Sequence, residues 1–261
     1  MKSLITVSLL AGLALASPLM ERAKLELQAR NAARRGDRFR ASKDGSFGNT
    51  TATTVASSNW AGAAIVTSGV TEVSGTFTVP KPSIPSGGSS RSEYCGAAWV
   101  GIDGYSNSAL IQTGVLWCVE GTSYEYEAWY EYLPAALIAY SGFSVTSGNS
   151  VTVAVTKTSS TGGTTTISAN GKSASHTFSG QSTQLQGASA EWIVEDFLSG
   201  NSLVPFADFG TVTFTGATAI INGATVQASS DSPVNIELES SSGSILTSTS
   251  ISGSTVTVVY Q

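Results

Sequence analysis

Three clusters of carboxylates are the residues of this chain best suited to do chemistry. The first is Asp103, in a Gly-Ile-Asp-Gly turn after an apolar run. The second is YEYEAWYEY at 124–132, and the third is EWIVEDF at 191–197. Carboxyl groups act as general acids and bases most effectively in acidic solution, because an ordinary glutamate has a pKa of about 4.3. The clusters therefore indicate acid–base chemistry at low pH.

Period-two alternation predicts which members of these clusters share a face of a strand. The odd-numbered residues of 125–131, three glutamates and Trp129, fall on one face, and four tyrosines fall on the other. In the third cluster Glu191, Ile193, Glu195 and Phe197 share a face. A face that mixes carboxylates with an indole suggests a wet binding groove, whereas the plainer alternative is a solvated surface with structural aromatics.

Two other kinds of site are poorly supported. The single histidine, His176, lies in the alternating run ASHTF without a nucleophile-elbow motif, so we interpret it as structural rather than as part of a Ser-His-Asp triad. Two cysteines and one histidine at these spacings do not build a metal site, and no metal or cofactor is expected.

The N-terminal 50 residues are typical of targeting and processing segments. Residues 1–16, with Lys2, an apolar run and a final Ala-Leu-Ala, match a secretory signal peptide. Residues 17–50 are polar and basic, allow a short helix over 20–33, and lack the apolar content to fold alone. We predict a removable propeptide, with an approximate boundary, that inhibits by pairing with the acidic body at neutral pH. A disordered basic tail without inhibitory role is the alternative.

The remaining body, residues 51–261, is strongly acidic. It carries four basic and fourteen acidic residues, a formal net charge of −10. Phosphate binding needs clustered Lys and Arg, so nucleic acid is not expected as a partner. No later apolar stretch approaches the ~20 residues of a transmembrane helix. We expect a secreted, extracellular, monomeric protein without a membrane partner, in which Cys95 and Cys118 form a disulfide.

Short alternating runs separated by Gly, Ser, Asn and Pro predict one all-β domain over 51–261. Examples are 70–79, 150–156, 163–169, 209–214 and 254–259. Such spacing is typical of an antiparallel sandwich or barrel. The Pro80–Ser90 stretch is predicted to be a surface loop rather than a linker.

An ordered set of motifs resembles the glutamic peptidases, also called eqolisins, and covers essentially all of residues 57–261. The motifs are SSNWAGA at 57–63, FTVP at 77–80, AWVGIDG at 98–104, IQTGV at 111–115, AWYE at 128–131, AEWIVEDF at 190–197 and FADFG at 206–210. The resemblance implies a concanavalin-like jelly roll, an antiparallel β-sandwich of two long curved sheets. It also implies a secreted, pepstatin-insensitive acid endopeptidase that acts on proteins and peptides without metal or cofactor.

The resemblance also implies roles for individual residues. Gln112, in the Gln-Thr-Gly-Val run, and Glu195, the second glutamate of Glu-Trp-Ile-Val-Glu-Asp, correspond to the family's catalytic pair. Five further residues are expected to line the groove or support the pair: Trp99, Asp103, Trp129, Glu131 and Phe197. Relative to the family pattern, the stretch 101–112 is one residue shorter and lacks the cysteine and acidic residue that often follow Gly104, which alters the cleft loop.

Two other functions remain open at this stage. A sandwich glycoside hydrolase would use two of Glu125, Glu127, Glu131 and Glu195 as acid and nucleophile, with Trp99 and Trp129 stacking on sugar rings. A non-catalytic carbohydrate- or protein-binding module would leave Gln112 without a task.

Overall fold

Strands account for most of the chain that the computed structural model describes, which is residues 39–41, 53–199 and 202–261. They form two large sheets and one two-stranded ribbon. The predicted all-β sandwich is thereby confirmed. Within these ranges no helix is long and apolar enough to cross a membrane. The predicted signal peptide, the helix over 20–33 and most of the predicted propeptide lie outside the described residues.

The larger sheet has nine strands and carries the candidate site residues. In hydrogen-bonding order its strands are β1 (Phe39–Ala41), β2 (Thr53–Ser57), β17 (Val234–Leu238), β3 (Trp60–Val66), β12 (Ser189–Glu195), β5 (Glu93–Ile102), β6 (Ile111–Glu120), β7 (Ser123–Tyr132) and β8 (Ile138–Ala139).

The second sheet has eight strands and packs against one face of the first. Its main path runs β11 (Lys172–Phe178), β10 (Gly162–Ala169), β9 (Ser150–Ser159), β4 (Val70–Thr78), β15 (Thr211–Ile221), β19 (Thr255–Tyr260) and β18 (Thr247–Ser252), and β16 (Ala224–Gln227) pairs with β15. The ribbon consists of β13 (Leu198–Ser199) and β14 (Ser202–Leu203).

The strands predicted from alternation are largely confirmed, with one shifted boundary. The runs 70–79, 150–156, 163–169 and 254–259 correspond to β4, β9, β10 and β19, and Pro80–Ser90 is a loop. The run predicted over 209–214 instead begins at Thr211, because Gly210 adopts a positive φ of 67° that ends the preceding turn.

One pairing departs from the antiparallel prediction. Strand β17 inserts between β2 and β3, which follow each other in sequence. It is antiparallel to β3 and parallel to β2. Because β2 and β3 run in opposite directions, any strand placed between them must be parallel to one of the two.

The nine-stranded sheet is covered on both faces. Alternate residues of β3, β5, β6, β7 and β12, among them Trp192 and Val194, join the core between the two sheets, and we call this the inner face. The intervening residues, among them Trp99 and Ile193, join a second apolar cluster on the opposite, outer face. Because both faces of the sheet are covered, every residue of β12 is buried, including its two glutamates.

Two cross-links fix the strands that carry the site. The indole Nε1 of Trp192 donates a 2.8 Å hydrogen bond to the backbone carbonyl of Ser74, which ties β12 to β4 of the other sheet. Cys95 and Cys118 face each other across β5 and β6 and form the predicted disulfide. The central strands of the nine-stranded sheet are thus held both within their sheet and against its partner.

Gly114 provides a test of how closely β5 and β6 pack. It lies between Trp99 and Trp129 in register, and a Cβ placed there would be 2.1 Å from the carbonyl oxygen of Ala98. Since backbone would have to move, we expect Gly114→Ala to lower the free energy of unfolding by about 3 kcal/mol, as measured by urea titration at pH 4. Gly142→Ala, which has open space and only a positive φ of 72°, should cost about 1 kcal/mol. Equal losses would contradict this account.

Candidate active site

The candidate site residues lie on one face of four adjacent strands. Apolar neighbours in alternation assign the outer face: Trp99 of β5, Trp129 of β7 and Ile193 of β12 belong to its cluster. By the same alternation Gln112 of β6, Glu131 of β7 and Glu195 of β12 point to the outer face. The sequence interpretation that the glutamates and Trp129 share a face opposite the tyrosines agrees with this arrangement, since Tyr132 lies in the inner core.

Glu195 ends β12 and is completely buried. The indole Nε1 of Trp99 donates a 2.8 Å hydrogen bond to its Oε2, and the side-chain amide of Asn59 donates a 3.2 Å hydrogen bond to its Oε1. The Trp99 ring is itself held edge-to-face against Trp60, with ring centroids 4.9 Å apart. Both oxygens of the Glu195 carboxyl group therefore accept an N–H from an uncharged side chain.

Gln112 and Glu131 form a second polar pair. They are register partners on β6 and β7, and Nε2 of Gln112 donates a hydrogen bond to Oε2 of Glu131. Gln112 is 0% exposed and Glu131 1% exposed. The Oε1 atom of Gln112 accepts no hydrogen bond from the described residues. A fixed amide therefore presents a buried acceptor and one further N–H.

Strand β5 lies between these two pairs. Its Gly101 is the register partner of Gln112, and its Ala97 is the register partner of Glu195. Trp99 stands between those two positions on the same face and contacts Glu195 directly. The amide and the carboxylate therefore flank one strand, with the indole ring between them.

Asp103 anchors the segment that leads into β12. Its carboxylate accepts backbone N–H groups from Gln186, Gly187 and Ala188 at 2.7 to 2.9 Å, and the side-chain amide of Asn107 donates at 2.9 Å. With φ of 70°, Asp103 also turns the chain at the end of β5. Asp103 thus contacts the backbone that positions β12, at the opposite end of the strand from Glu195.

Trp129 and Phe197 belong to the apolar cluster of the outer face and are each 1% exposed. The prediction of a wet groove is therefore wrong for Trp129 and Glu131, because apolar residues such as Leu133 and Leu137 pack on this part of the face. Glu125 and Glu127, farther along β7, are half-buried. The solvated-surface alternative is equally wrong for Glu131 and Glu195.

Two residues of this region were not assigned a role from the sequence. Asn59 contacts Glu195 from the turn between β2 and β3, and only its place in the SSNWAGA motif signalled it. Glu191 is completely buried on the same face as Glu195, and neither of its carboxyl oxygens has a hydrogen-bond partner among the described residues. Alternation placed Glu191 on this face but said nothing of its burial.

Burial raises the pKa of Glu191 well above its usual value; the Ser189 hydroxyl counteracts this and the Asp103 carboxylate adds to it. The strands on either side, β3 and β5, contain no Lys, Arg or His to offset a negative charge. Glu191 is therefore a neutral carboxylic acid in the acidic range.

The described residues offer one group of potential metal ligands, Glu93, Cys95 and Cys118. Because the two sulfurs form the disulfide, they cannot serve as thiolate ligands. His176 stacks on Tyr130 with ring centroids 4.2 Å apart, which fits the structural role assigned to it from the sequence.

Replacing Glu191 should change the pH dependence of stability. Above about pH 4.5 the folded protein retains the Glu191 proton while the unfolded chain releases it. The free energy of unfolding therefore has its full value below about pH 4.5 and decreases as the pH rises toward the raised pKa of Glu191 in the folded protein. Relative to wild type, Glu191→Gln should gain up to about 1.4 kcal/mol of unfolding free energy per pH unit in that window. Urea unfolding at pH 4 and pH 6.5 measures the difference, with the exposed Glu120→Gln as control. An effect of the same size at both pH values would refute the assignment.

The model of the Peptidase A4 family matches residues 58–260. Aspergillopepsin-2 of Aspergillus niger is 42% identical over 280 aligned residues, which cover 99% of this chain and 98% of the relative. Scytalidopepsin B of Scytalidium lignicola is 37% identical over 214 residues, which cover 78% of each chain.

Solved structures show the same likeness. A crystal structure of scytalido-glutamic peptidase with a transition state analog inhibitor superposes with a TM-score of 0.70 at 35% identity, covering 78% of this chain and 98% of that one. The crystal structure of aspergilloglutamic peptidase from Aspergillus niger gives a TM-score of 0.61 at 46% identity, covering 64% of this chain and 99% of that one. The fold is therefore shared with these peptidases.

Proposed function

Because the chain belongs to the Peptidase A4 family and is therefore a glutamic peptidase, we propose that it is a secreted, pepstatin-insensitive acid endopeptidase whose catalytic dyad is Gln112 and Glu195. The observation that supports the dyad most directly is the placement of a buried carboxylate and a buried amide on one face, on either side of β5. Each is held by a hydrogen bond to a neighbouring strand.

Glu195 would act as the general base and then as the general acid. In ionised form it accepts a proton from a water molecule, whose oxygen attacks the carbonyl carbon of the scissile peptide bond. The protonated Glu195 then delivers that proton to the leaving amine nitrogen as the C–N bond breaks. The N–H groups of Trp99 and Asn59 hold the carboxylate in place for both steps.

Gln112 would stabilise the oxyanion and orient the water. One N–H of its amide is taken by Glu131, which leaves the other for the oxygen that becomes negatively charged on the tetrahedral intermediate. The unpaired Oε1 is suited to accept the second proton of the attacking water. One well-placed donor of this kind contributes on the order of 3 kcal/mol to the transition state.

We further propose that residues 1–16 are the signal peptide and 17–50 the inhibitory propeptide of a monomeric catalytic domain, 51–261. In support, β1, within the proposed propeptide, pairs antiparallel with β2 at the edge of the nine-stranded sheet. The first 43 residues carry nine Lys and Arg, while the site strands β5, β6, β7 and β12 carry carboxylates and no Lys or Arg. Opposite charge would hold the two together until acid protonates the carboxylates.

The dyad is tested by hydrolysis of a denatured protein substrate at pH 3 to 4 in the presence of pepstatin, after acid treatment and demonstrated loss of the propeptide. Wild type should cleave, Glu195→Gln should lose at least about 10³-fold in kcat, and Gln112→Ala about 10²-fold or more. Glu120→Gln, at an exposed position, should leave activity unchanged. Circular dichroism verifies that each variant is folded. If the wild-type protein does not cleave the substrate, the endopeptidase assignment is overturned. The carbohydrate-directed alternatives then become the functions to test.

Inhibition by the propeptide can be measured with a synthetic peptide of residues 17–50 added to the mature domain. The peptide should inhibit more strongly at pH 5.5 than at pH 3, because protonation of the carboxylates removes the attraction. A matched peptide with every Lys and Arg replaced by Gln should inhibit at least tenfold more weakly at pH 5.5. Equal inhibition by both peptides would show that charge does not hold the segment.

A further inference from the structure

Asn59 supplies a second hydrogen bond to Glu195, and contacts within its turn orient its side chain. Its Nδ2 lies 3.2 Å from Oε1, whereas Trp99 occupies Oε2 at 2.8 Å. Each carboxylate oxygen therefore receives an N–H from a different element, Oε2 from β5 and Oε1 from the turn between β2 and β3. Both donors are uncharged and neither can accept a proton.

The turn between β2 and β3 fixes where the Asn59 amide points. The Ser57 hydroxyl oxygen accepts the backbone N–H of Trp60 at 3.1 Å and of Asn59 at 3.4 Å. The same hydroxyl donates to Oδ1 of Asn59 at 3.5 Å, which turns the Nδ2 end of the amide toward Glu195. The orientation is thus determined by a neighbour in the turn rather than by Glu195 alone.

The backbone of Asn59 is also joined to the end of β12. Its carbonyl accepts the N–H of Asp196, the residue after Glu195, at 2.9 Å. Glu195 is itself the register partner of Trp60. The β3–β12 pairing therefore holds the backbone of the turn beside the end of β12.

We propose that Asn59 is a positioning residue that keeps Glu195 ionised and correctly oriented in acid, and so sets the lowest pH at which the site works. The proposal rests on the role of Glu195 as general base. A buried carboxylate is disfavoured by desolvation and is favoured by each N–H that it accepts. Among the described residues, the titratable side chains on the same face include Glu93, Glu131 and Glu191, and all three are acidic; the flanking strands β3 and β5 contain no Lys, Arg or His.

Removing the Asn59 amide should therefore weaken the site selectively at low pH. In Asn59→Ala, the acid limb of the kcat/KM profile should move upward by about 0.5 to 1 pH unit, which lowers activity on that limb about 3- to 10-fold. At the upper end of the active range, where Glu195 is ionised with or without Asn59, the variant should approach wild type. KM should change little, because Asn59 acts through Glu195.

Asn59→Asp is the isosteric companion variant. It keeps the volume of the side chain but, once ionised, offers no N–H and places a second negative charge beside Glu195, so its acid limb should move farther than that of Asn59→Ala. Ser58→Ala, in the same turn at an exposed residue, is the matched control and should reproduce the wild-type profile. Thermal unfolding at pH 4 identifies any variant that fails to fold.

The outcomes separate this proposal from the dyad itself. Glu195→Gln is assayed in parallel: if it is active, the dyad fails and the role of Asn59 fails with it. If Glu195→Gln is inactive and both Asn59 variants retain the wild-type pH profile, the dyad stands and the role of Asn59 is refuted. A loss that is uniform across the pH range, with no displaced limb, likewise refutes it and indicates a structural role.

Discussion

The main physical constraint on this structure is that its carboxyl groups lie in a sheet that is covered on both faces. Asp103, Glu131, Glu191 and Glu195 are all at most 1% exposed. A charge in such a place is tolerated only when hydrogen bonds or opposite charges replace its lost hydration. The strands that carry these groups contain no Lys, Arg or His. The protein instead uses neutral N–H donors, and the carboxyl groups differ in the donors that they receive.

The donors that each carboxyl group receives depend on its place along the backbone. Asp103, at the end of β5, collects three backbone N–H groups and one amide, and these contacts hold the start of β12. Glu195, at the other end of β12, accepts side-chain N–H groups from Trp99 and Asn59. Glu191, four residues before Glu195 on β12, has no N–H donor among the described residues, and burial raises its pKa well above the usual value. One strand thus carries two buried glutamates on the same face, of which only Glu195 accepts N–H groups from neighbouring side chains.

Much of this arrangement could be predicted from alternation, and the rest depends on contacts between distant segments. Period two correctly put the tyrosines of β7, of which Tyr132 lies in the inner core, on the face opposite its glutamates and Trp129. It did not reveal that the outer face is also buried, because the apolar cluster on that face includes residues from outside the sheet and distant from β7 in sequence, such as Val204. Asn59 was missed for the same reason, since its contact with Glu195 spans 136 positions. The insertion of β17 between β2 and β3 likewise leaves no local signal.

The connection between β5 and β6 lies in the stretch 101–112, which the family resemblance predicts to be one residue shorter here. In this connection Asn107 donates to Asp103 and accepts the N–H of Gly104. These contacts close the connection on itself, so the ends of both strands remain in register from Ile102 and Ile111 onward. The register that begins there places Gln112 opposite Glu131. The position of Gln112 therefore depends on the pairing of β6 with β5 and β7, and the side-chain contacts of the connection are made with Asp103 and Gly104.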